Sequence, residues 1–253
     1  MKDLNLKIPY GKTYGFLGPN GAGKTTTIRM LNGIISSSSG KIIIAGLDIT
    51  SHEKQVKMLS GFLPESPGLY PKLSAREFLN FIGELYYLPK TVIASRVEEL
   101  VELFRLSERA NDLLEGYSRG MKQKVCLCAA LIQDPQIIYL DEPTSNLDPE
   151  VARMVKDLIK ELVKSAEKTV FICTHQLDVA EELCDYIGII NHGTLKIEGT
   201  PKEIIEFMGA KNLEEAYLKI MGVNKMDDLL SWREPNKSIS RKEKVKKGKK
   251  GVV

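Results

Sequence analysis

The chain has 253 residues, of which 43% are hydrophobic and 27% are charged, a composition typical of a soluble globular protein with one domain, with or without a subdomain. Charged residues interrupt every apolar run before the roughly 18 residues that a membrane-spanning helix needs, and the N-terminus lacks a secretory signal, so we expect a cytoplasmic protein. The net charge of +3 is unevenly distributed, because residues 241–250 contain seven Lys or Arg and one Glu.

A glycine-rich loop follows the first predicted strand, residues 14–17. The sequence GPNGAGKTT comes next and leads into a predicted helix, matching the phosphate-binding pattern G-x-x-x-x-G-K-[ST]. In this pattern the glycines let backbone N–H groups converge on phosphate oxygens, the lysine binds the β- and γ-phosphates, and the hydroxyl residue ligates Mg²⁺. The predicted nucleotide-binding residues are Gly18, Pro19, Asn20, Gly21, Ala22, Gly23, Lys24, Thr25 and Thr26.

Two pairs of β-like runs are predicted at the edges of the fold. Residues 41–45 and 47–50 are separated by a glycine, and residues 186–191 and 194–197 are joined by a His-Gly turn. Such turns favour hairpins. We therefore predict antiparallel strands that flank a parallel core.

The middle of the chain has a helical pattern instead. Ser74 and Glu77 have the spacing of a capping box at the start of a run that Pro89 ends. Apolar residues recur at helical spacing in a second run, from Val97 onward. Since no strand-like run separates the two, we predict an α-helical insertion over roughly residues 71–130.

Polar residues follow two further predicted strands, residues 136–140 and 169–173. Strands that alternate with helices indicate an α/β protein with a mainly parallel sheet, whose carboxyl ends face a ligand crevice. Asp141 is then placed to hold Mg²⁺ and Glu142 to polarise an attacking water. His175 is placed to contact the γ-phosphate.

The C-terminal part contains one more predicted helix, roughly residues 212–221, with an Asn cap at its start. Beyond it, residues 233–253 form a basic tail. A charged run without apolar partners does not bury enough surface to order itself, so we expect this tail to be disordered.

Several motifs occur in the order found in the ATP-binding subunits of ATP-binding cassette (ABC) transporters. They are the Walker A sequence at 18–25, the signature YSRGM at 117–121, the Walker B strand at 137–142, the D-loop SNLD at 145–148 and the switch residue His175. Over roughly residues 4–220 the chain resembles this family, and bacterial and archaeal exporter cassettes in particular.

The resemblance implies an ABC ATPase domain over residues 1–232, with a P-loop NTPase core, a mainly parallel sheet, an antiparallel β edge and the helical insertion. It implies ATP and Mg²⁺ as cofactors, with Lys24, Glu142 and His175 as catalytic residues. Ser118 and Gly120 would contact ATP bound to a second, head-to-tail cassette, so that a homodimer is expected. The partner would be a separate transmembrane permease subunit at the inner face of the cell membrane.

The chain departs from the family pattern in three places. Glu65 stands where the family usually has Gln, and it is expected to meet Mg²⁺ or water as a third metal-site residue beside Thr25 and Asp141. The signature has Arg119 and Met121 at its third and fifth positions. The strand and the adenine-stacking aromatic that usually precede the Walker A motif are missing, and Tyr10 is a poor substitute.

Two other interpretations are weighed. A soluble ABC ATPase that acts on nucleic acid or ribosomes is suggested by the basic tail, but the chain has a single cassette. A P-loop kinase would use Glu142 to orient a substrate hydroxyl, but it has no role for the signature or the D-loop. We therefore favour a transporter subunit, with export as the direction, and do not expect a nucleic-acid partner.

Overall fold

The computed structural model describes residues 1, 3–66, 68–145 and 147–222. The strands are β1 (Thr13–Leu17), β2 (Ile43–Ile44), β3 (Leu47–Asp48), β4 (Ser60–Leu63), β5 (Ile137–Asp141), β6 (Thr169–Thr174), β7 (Tyr186–Asn191) and β8 (Thr194–Gly199). The helices are α1 (Lys24–Leu31), α2 (Glu53–Leu59), α3 (Ala75–Leu85), α4 (Lys90–Leu103), α5 (Arg119–Leu131), α6 (Pro149–Lys164), α7 (Leu177–Leu183), α8 (Pro201–Phe207) and α9 (Leu213–Met221). Among these described helices, none combines the length and the apolar character that crossing a membrane requires.

Six strands form one sheet in the order β4-β5-β6-β1-β7-β8. All neighbours in it are parallel except β7 and β8, which pair antiparallel at the edge. The predicted fold class, a mainly parallel α/β sheet with an antiparallel β edge, is confirmed.

Side chains of the central strands point alternately to the two faces of the sheet. In β6, Val170 and Ile172 belong to the larger core, which includes the helices between β4 and β5. Phe171 and Cys173 belong to a second core on the other face, together with Ile28 of α1. Because helices or loops cover both faces, the central strands are continuous apolar runs.

The described residues between β4 and β5 include α3, α4, two short 3-10 helices and α5 in succession. The capping box predicted at Ser74 and Glu77 is present, with the Ser74 side chain accepting from the Glu77 N–H and the Glu77 carboxylate accepting from the Ser74 N–H. Pro89 lies immediately before α4. The cap predicted for the C-terminal helix is also confirmed, because the Asn212 side chain accepts from the Glu215 N–H.

The structure corrects two edge predictions. The antiparallel pair predicted within residues 41–50 exists, but β2 and β3 form a separate sheet of two residues each and do not flank the parallel core. Ala45 and Gly46, both at positive φ, turn the chain too early for longer strands. Likewise β7 is part of the parallel core, paired with β1, so that within the six-stranded sheet only β8 runs antiparallel to its neighbour. The predicted basic tail at 233–253 lies outside the described residues.

Candidate nucleotide-binding site

The predicted site lies where four neighbouring parallel strands of the sheet have their carboxyl ends. The register pairs Leu17 with Thr174 and Asp141 with Cys173. The loop after β1 therefore lies beside the residues that follow β5 and β6. This edge is where α/β proteins bind ligands.

The glycine-rich loop spans residues 18–23 between β1 and α1, and three of its glycines are required by its shape. A Cβ on Gly18 would lie 2.3 Å from the main-chain oxygen of Ile190. Gly21 and Gly23 have φ of 79° and 112°, a region that L-residues with side chains disfavour. The loop leads directly into the N-terminus of α1, whose free N–H groups and dipole suit an anion.

Lys24, the first residue of α1, is buried in this loop with 6% of its surface exposed. Its ammonium group donates to the carbonyl oxygen of Gly18 at 2.7 Å. The same nitrogen lies 3.9 Å from Oε1 of Glu142. A buried cation is thus held at the mouth of the loop, opposite the acidic pair at the end of β5.

Glu142 lies at the centre of a hydrogen-bonded cluster. Oε1 accepts from Nδ1 of His175 at 2.7 Å, and Oε2 accepts from the hydroxyls of Thr174 at 3.0 Å and Ser145 at 3.1 Å. The residue has φ of 52°, a strained conformation for a non-glycine residue. The N–H of Glu142 donates to the Cys173 carbonyl at 2.8 Å. This bond and the side-chain bonds stabilise the strained conformation of Glu142.

Asp141 is almost fully buried at 1% exposure, and its Oδ1 atom has no hydrogen-bond partner. Burial raises the pKa of Asp141, and the charges of Glu65 and Glu142 raise it further, whereas Thr25 and Lys24 act in the opposite direction. An unpaired buried carboxylate oxygen beside a hydroxyl is a suitable donor for a hard cation. The residues present therefore fit Mg²⁺.

Two groups of predicted residues stand apart from this cluster. Glu65 is exposed on the segment after β4. Ser118 caps α5, where its hydroxyl accepts from the N–H of Met121 at 3.3 Å. In the described chain, no hydrogen bond or ion pair joins Ser118 or Gly120 to the loop at 18–26. The cluster of Lys24, Asp141, Glu142 and His175 is thus assembled within one chain, and the signature is not part of it.

Tyr10 lies in a turn before β1 and is 68% exposed. The loop at 18–23 begins at the opposite end of β1. Five residues of extended strand span about 17 Å, so Tyr10 is remote from the phosphate-binding loop. The interpretation that Tyr10 is a poor stacking residue agrees with this position.

The sequence reasoning missed the two hydroxyls that hold Glu142. Thr174 has no role in the sequence analysis, and Ser145 appears there only as part of the D-loop. It also missed Gln176, whose side chain accepts from the Thr144 hydroxyl at 2.7 Å and so links the segments after β5 and β6. The available signal was that these polar residues lie at, or within four residues of, the end of a buried strand. Asn146 of the D-loop lies outside the described residues.

Comparison with known proteins identifies related sequences. Residues 1–145 match the family model described as ABC transporter. Nod factor export ATP-binding protein I of Cupriavidus pinatubonensis is 36% identical over 217 residues, covering 86% of this chain and 66% of that protein. Linearmycin resistance ATP-binding protein LnrL of Bacillus subtilis is 35% identical over 224 residues, covering 88% and 71%. The bacitracin transport ATP-binding protein BcrA of Bacillus licheniformis is 38% identical over 211 residues, covering 83% and 68%.

Solved structures give the same result. An ATP-binding subunit of an ABC transporter superposes with a TM-score of 0.79 at 30% identity, covering 85% of this chain and 90% of that one. A dimeric ATP-binding cassette in a post-hydrolysis state, bound to ADP and Pi, has a TM-score of 0.74 at 25% identity, covering 79% and 90%. The chain spans about two thirds of the length of the curated relatives it matches.

Proposed function

Because this chain belongs to the ABC transporter family, we propose that it is an ATP-binding and ATP-hydrolysing subunit that drives export through a separate membrane subunit. The observation that carries this proposal is the position of Glu142. Its carboxylate lies between the loop lysine, at 3.9 Å, and the imidazole of His175, at 2.7 Å. A base at this position is within reach of a water beside the terminal phosphate of a nucleotide in the loop.

In the proposed reaction, the loop N–H groups and Lys24 bind the β- and γ-phosphates. Glu142 accepts a proton from the attacking water, whose oxygen forms a bond to the γ-phosphorus as the bond to the β-phosphate oxygen breaks. The donors on Glu142 fix the direction of its lone pairs, and His175 adds a contact to the γ-phosphate. Positioning and charge stabilisation supply most of the catalysis in reactions of this type.

Mg²⁺ is the proposed metal cofactor. The Thr25 hydroxyl and the Asp141 carboxylate would hold it, and Glu65, on the segment after β4, is the third proposed metal-site residue. Mg²⁺ neutralises phosphate charge when it is bound. The support from this chain is the buried Asp141 oxygen that has no hydrogen-bond partner.

A second cassette is the proposed partner in hydrolysis. Gly120 is the second residue of α5. Among the described residues an added Cβ would meet only Asp148 Oδ2, at 3.6 Å, so no contact there requires a glycine. Glycine in a helix costs about 1 kcal/mol relative to alanine. We infer that Ser118 and Gly120 leave room for the ATP of a head-to-tail partner, which makes a homodimer the expected active form.

The membrane subunit is proposed to dock on the groove between α3 and the α2–β4 segment. This groove has a volume of about 790 Å³ and is lined in part by Ile34, Met58, Leu85 and Tyr87. All four side chains are exposed, Tyr87 by 74%, and an exposed apolar patch of this kind is typical of a protein interface. The cassette would then lie at the cytoplasmic face of the membrane.

The alternative of a nucleic-acid or ribosome ATPase is not favoured. The three curated relatives described above are named for export, resistance or transport. The basic tail that suggested this alternative lies outside the described residues.

ATP turnover and ATP binding, measured separately, test the proposal. Glu142→Gln should bind ATP normally and hydrolyse it at less than about a tenth of the wild-type rate, because the base is lost and the shape is kept. Lys24→Ala should weaken binding itself. Turnover by Glu142→Gln near the wild-type rate would contradict the assignment of the base.

A further inference from the structure

A ring of hydrogen bonds joins the segment after β5 to the segment after β6. The hydroxyl of Thr144 donates to the side-chain oxygen of Gln176 at 2.7 Å. The main-chain N–H of Gln176 donates to the hydroxyl of Thr174 at 3.0 Å, and this hydroxyl donates to Oε2 of Glu142 at 3.0 Å. Because Glu142 precedes Thr144 by two residues, these bonds and the intervening main chain close a ring that contains Glu142.

The ring is shielded from solvent. Thr144 is 6% exposed, Thr174 is fully buried and Gln176 is partly buried. Water competes weakly for hydrogen bonds between buried groups, so each bond of the ring restrains its partners more than an exposed bond would. The two segments are therefore held in one relative arrangement.

The side chain of Gln176 does not serve the helix that follows it. Gln176 stands immediately before α7, where Ser, Thr, Asp or Asn side chains commonly accept from the first free N–H groups of a helix. Its side chain makes no such capping bond and accepts from Thr144 instead. This contact thus belongs to the site and not to the start of α7.

Both hydroxyls that donate to Oε2 of Glu142 are tied to Gln176. Thr174 accepts from the Gln176 N–H. Ser145, the other donor at 3.1 Å, directly follows Thr144, whose hydroxyl donates to the Gln176 side chain. Since the two oxygens of a carboxylate turn together as one rigid plane, donors that fix Oε2 also fix the direction of Oε1.

We propose that Gln176 is a positioning residue for hydrolysis, which orients the Glu142 carboxylate through the segments that carry Thr174 and Ser145. This inference rests on the proposed ATPase function and adds a residue to it. In the described chain, no hydrogen bond or ion pair joins Gln176 to the phosphate loop at 18–26. The expected effect of its loss is therefore on kcat and not on ATP affinity.

Steady-state ATPase kinetics and the dissociation constant of ATP test the proposal. Gln176→Leu removes the acceptor at similar size and should lower kcat about tenfold, with ATP affinity within about twofold of wild type. Thr144→Val removes the donor and should have the same effect. Thr144→Ser keeps the hydroxyl and should restore kcat, which a general loss of packing at this residue would not allow.

A double-mutant cycle shows whether the two residues act through their shared bond. Thr144→Val combined with Gln176→Leu should lower kcat no further than the stronger single variant does, because either change alone already breaks the bond. Gln136→Leu is the matched control, since Gln136 is exposed and lies directly before β5, at the end of the strand remote from the site. It should leave kcat unchanged.

Three results would overturn the proposal. They are a wild-type kcat for Gln176→Leu, effects of Thr144→Val and Gln176→Leu that multiply in the double variant, and an equal fall in kcat for Gln136→Leu. Weaker ATP binding at unchanged kcat would also overturn it, because Gln176 would then act on the nucleotide. If Gln176→Leu does not fold, the comparison of Thr144→Val with Thr144→Ser tests the same bond. A wild-type protein without ATPase activity would contradict the proposed function instead.

Discussion

Nδ1 of His175 donates a hydrogen bond of 2.7 Å to Oε1 of Glu142, the oxygen that also lies 3.9 Å from the ammonium group of Lys24. The imidazole is half exposed, whereas the carboxylate is 7% exposed. His175 therefore bridges the buried carboxylate of Glu142 and the open side of the site. Its ring holds Glu142 in the strained conformation described above and is itself accessible to a ligand.

His175→Ala should reduce ATP turnover by about tenfold or more while leaving ATP affinity within about twofold, because the loss affects the base and not the phosphate loop. His175→Asn is the informative companion, since its side-chain amide can donate the same bond to Glu142. Partial recovery of turnover by Asn, with both variants unfolding at the wild-type temperature, is expected. Equal activity of His175→Ala and wild type would show that the bond is dispensable.

Two glycine-to-alanine variants should behave in opposite ways. Gly18→Ala should destabilise the fold by about 2 kcal/mol, because its Cβ would lie 2.3 Å from the Ile190 carbonyl oxygen. Gly120→Ala should stabilise the fold by up to about 1 kcal/mol, because it improves helix propensity without a clash inside the chain. Chemical denaturation of both variants provides the measurement. Destabilisation by Gly120→Ala would mean that the glycine is needed for folding.

Glu182 should contribute stability that depends on pH. Hydrogen bonds from Lys156 and Lys160 lower the pKa of Glu182 to about 2, from an ordinary value of 4.5. Since the folded-state pKa is the lower one, the contribution is fully present above about pH 4.5 and is lost as the pH falls toward 2. These side chains link α6 to α7, and the carboxylate is 30% exposed.

Glu182→Gln should therefore lower the free energy of unfolding by about 1 kcal/mol at pH 7, and the difference from wild type should shrink between pH 5 and pH 3. Asp157→Asn is the control, because its ion pair with Arg153 is more than half exposed at both ends, and such pairs contribute little. Denaturant titrations of wild type and both variants across this pH range measure the difference in the free energy of unfolding. A difference that stays constant with pH would exclude the ion pairs as its cause.

Local patterns in the sequence were sufficient to predict the central strands, the phosphate loop and the helix caps. The capping box at Ser74 depends on residues three positions apart, and the glycine spacing of the loop is set by its own backbone. Asp141 and His175 were predicted to face the same crevice, because parallel strands end at one edge. Their common edge in the structure agrees with that reasoning.

Long-range packing determined the features that the sequence did not reveal. Strand β4 begins with Ser60 and Gly61, which have low strand propensity. It pairs with β5, and Gly61 lets it approach the carbonyl oxygen of Ala130, from which an added Cβ would lie only 2.0 Å away. The bond from Thr174 to Glu142 joins two segments that only the sheet register brings together. The pairing of β7 with β1 is also long-range. The local sequence pattern indicates only the hairpin that β7 forms with β8.

The central claim is that two cassettes close head to tail around ATP. The most direct measurement is the light-scattering mass of Glu142→Gln with ATP and Mg²⁺ at tens of micromolar protein, with Glu142→Gln/Ser118→Ala as the matched control. The account predicts twice the monomer mass for Glu142→Gln with ATP, the monomer mass without ATP, and the monomer mass for the double variant under both conditions. A monomer mass for Glu142→Gln with saturating ATP, or an ATP-dependent dimer that survives the Ser118 substitution, would contradict it.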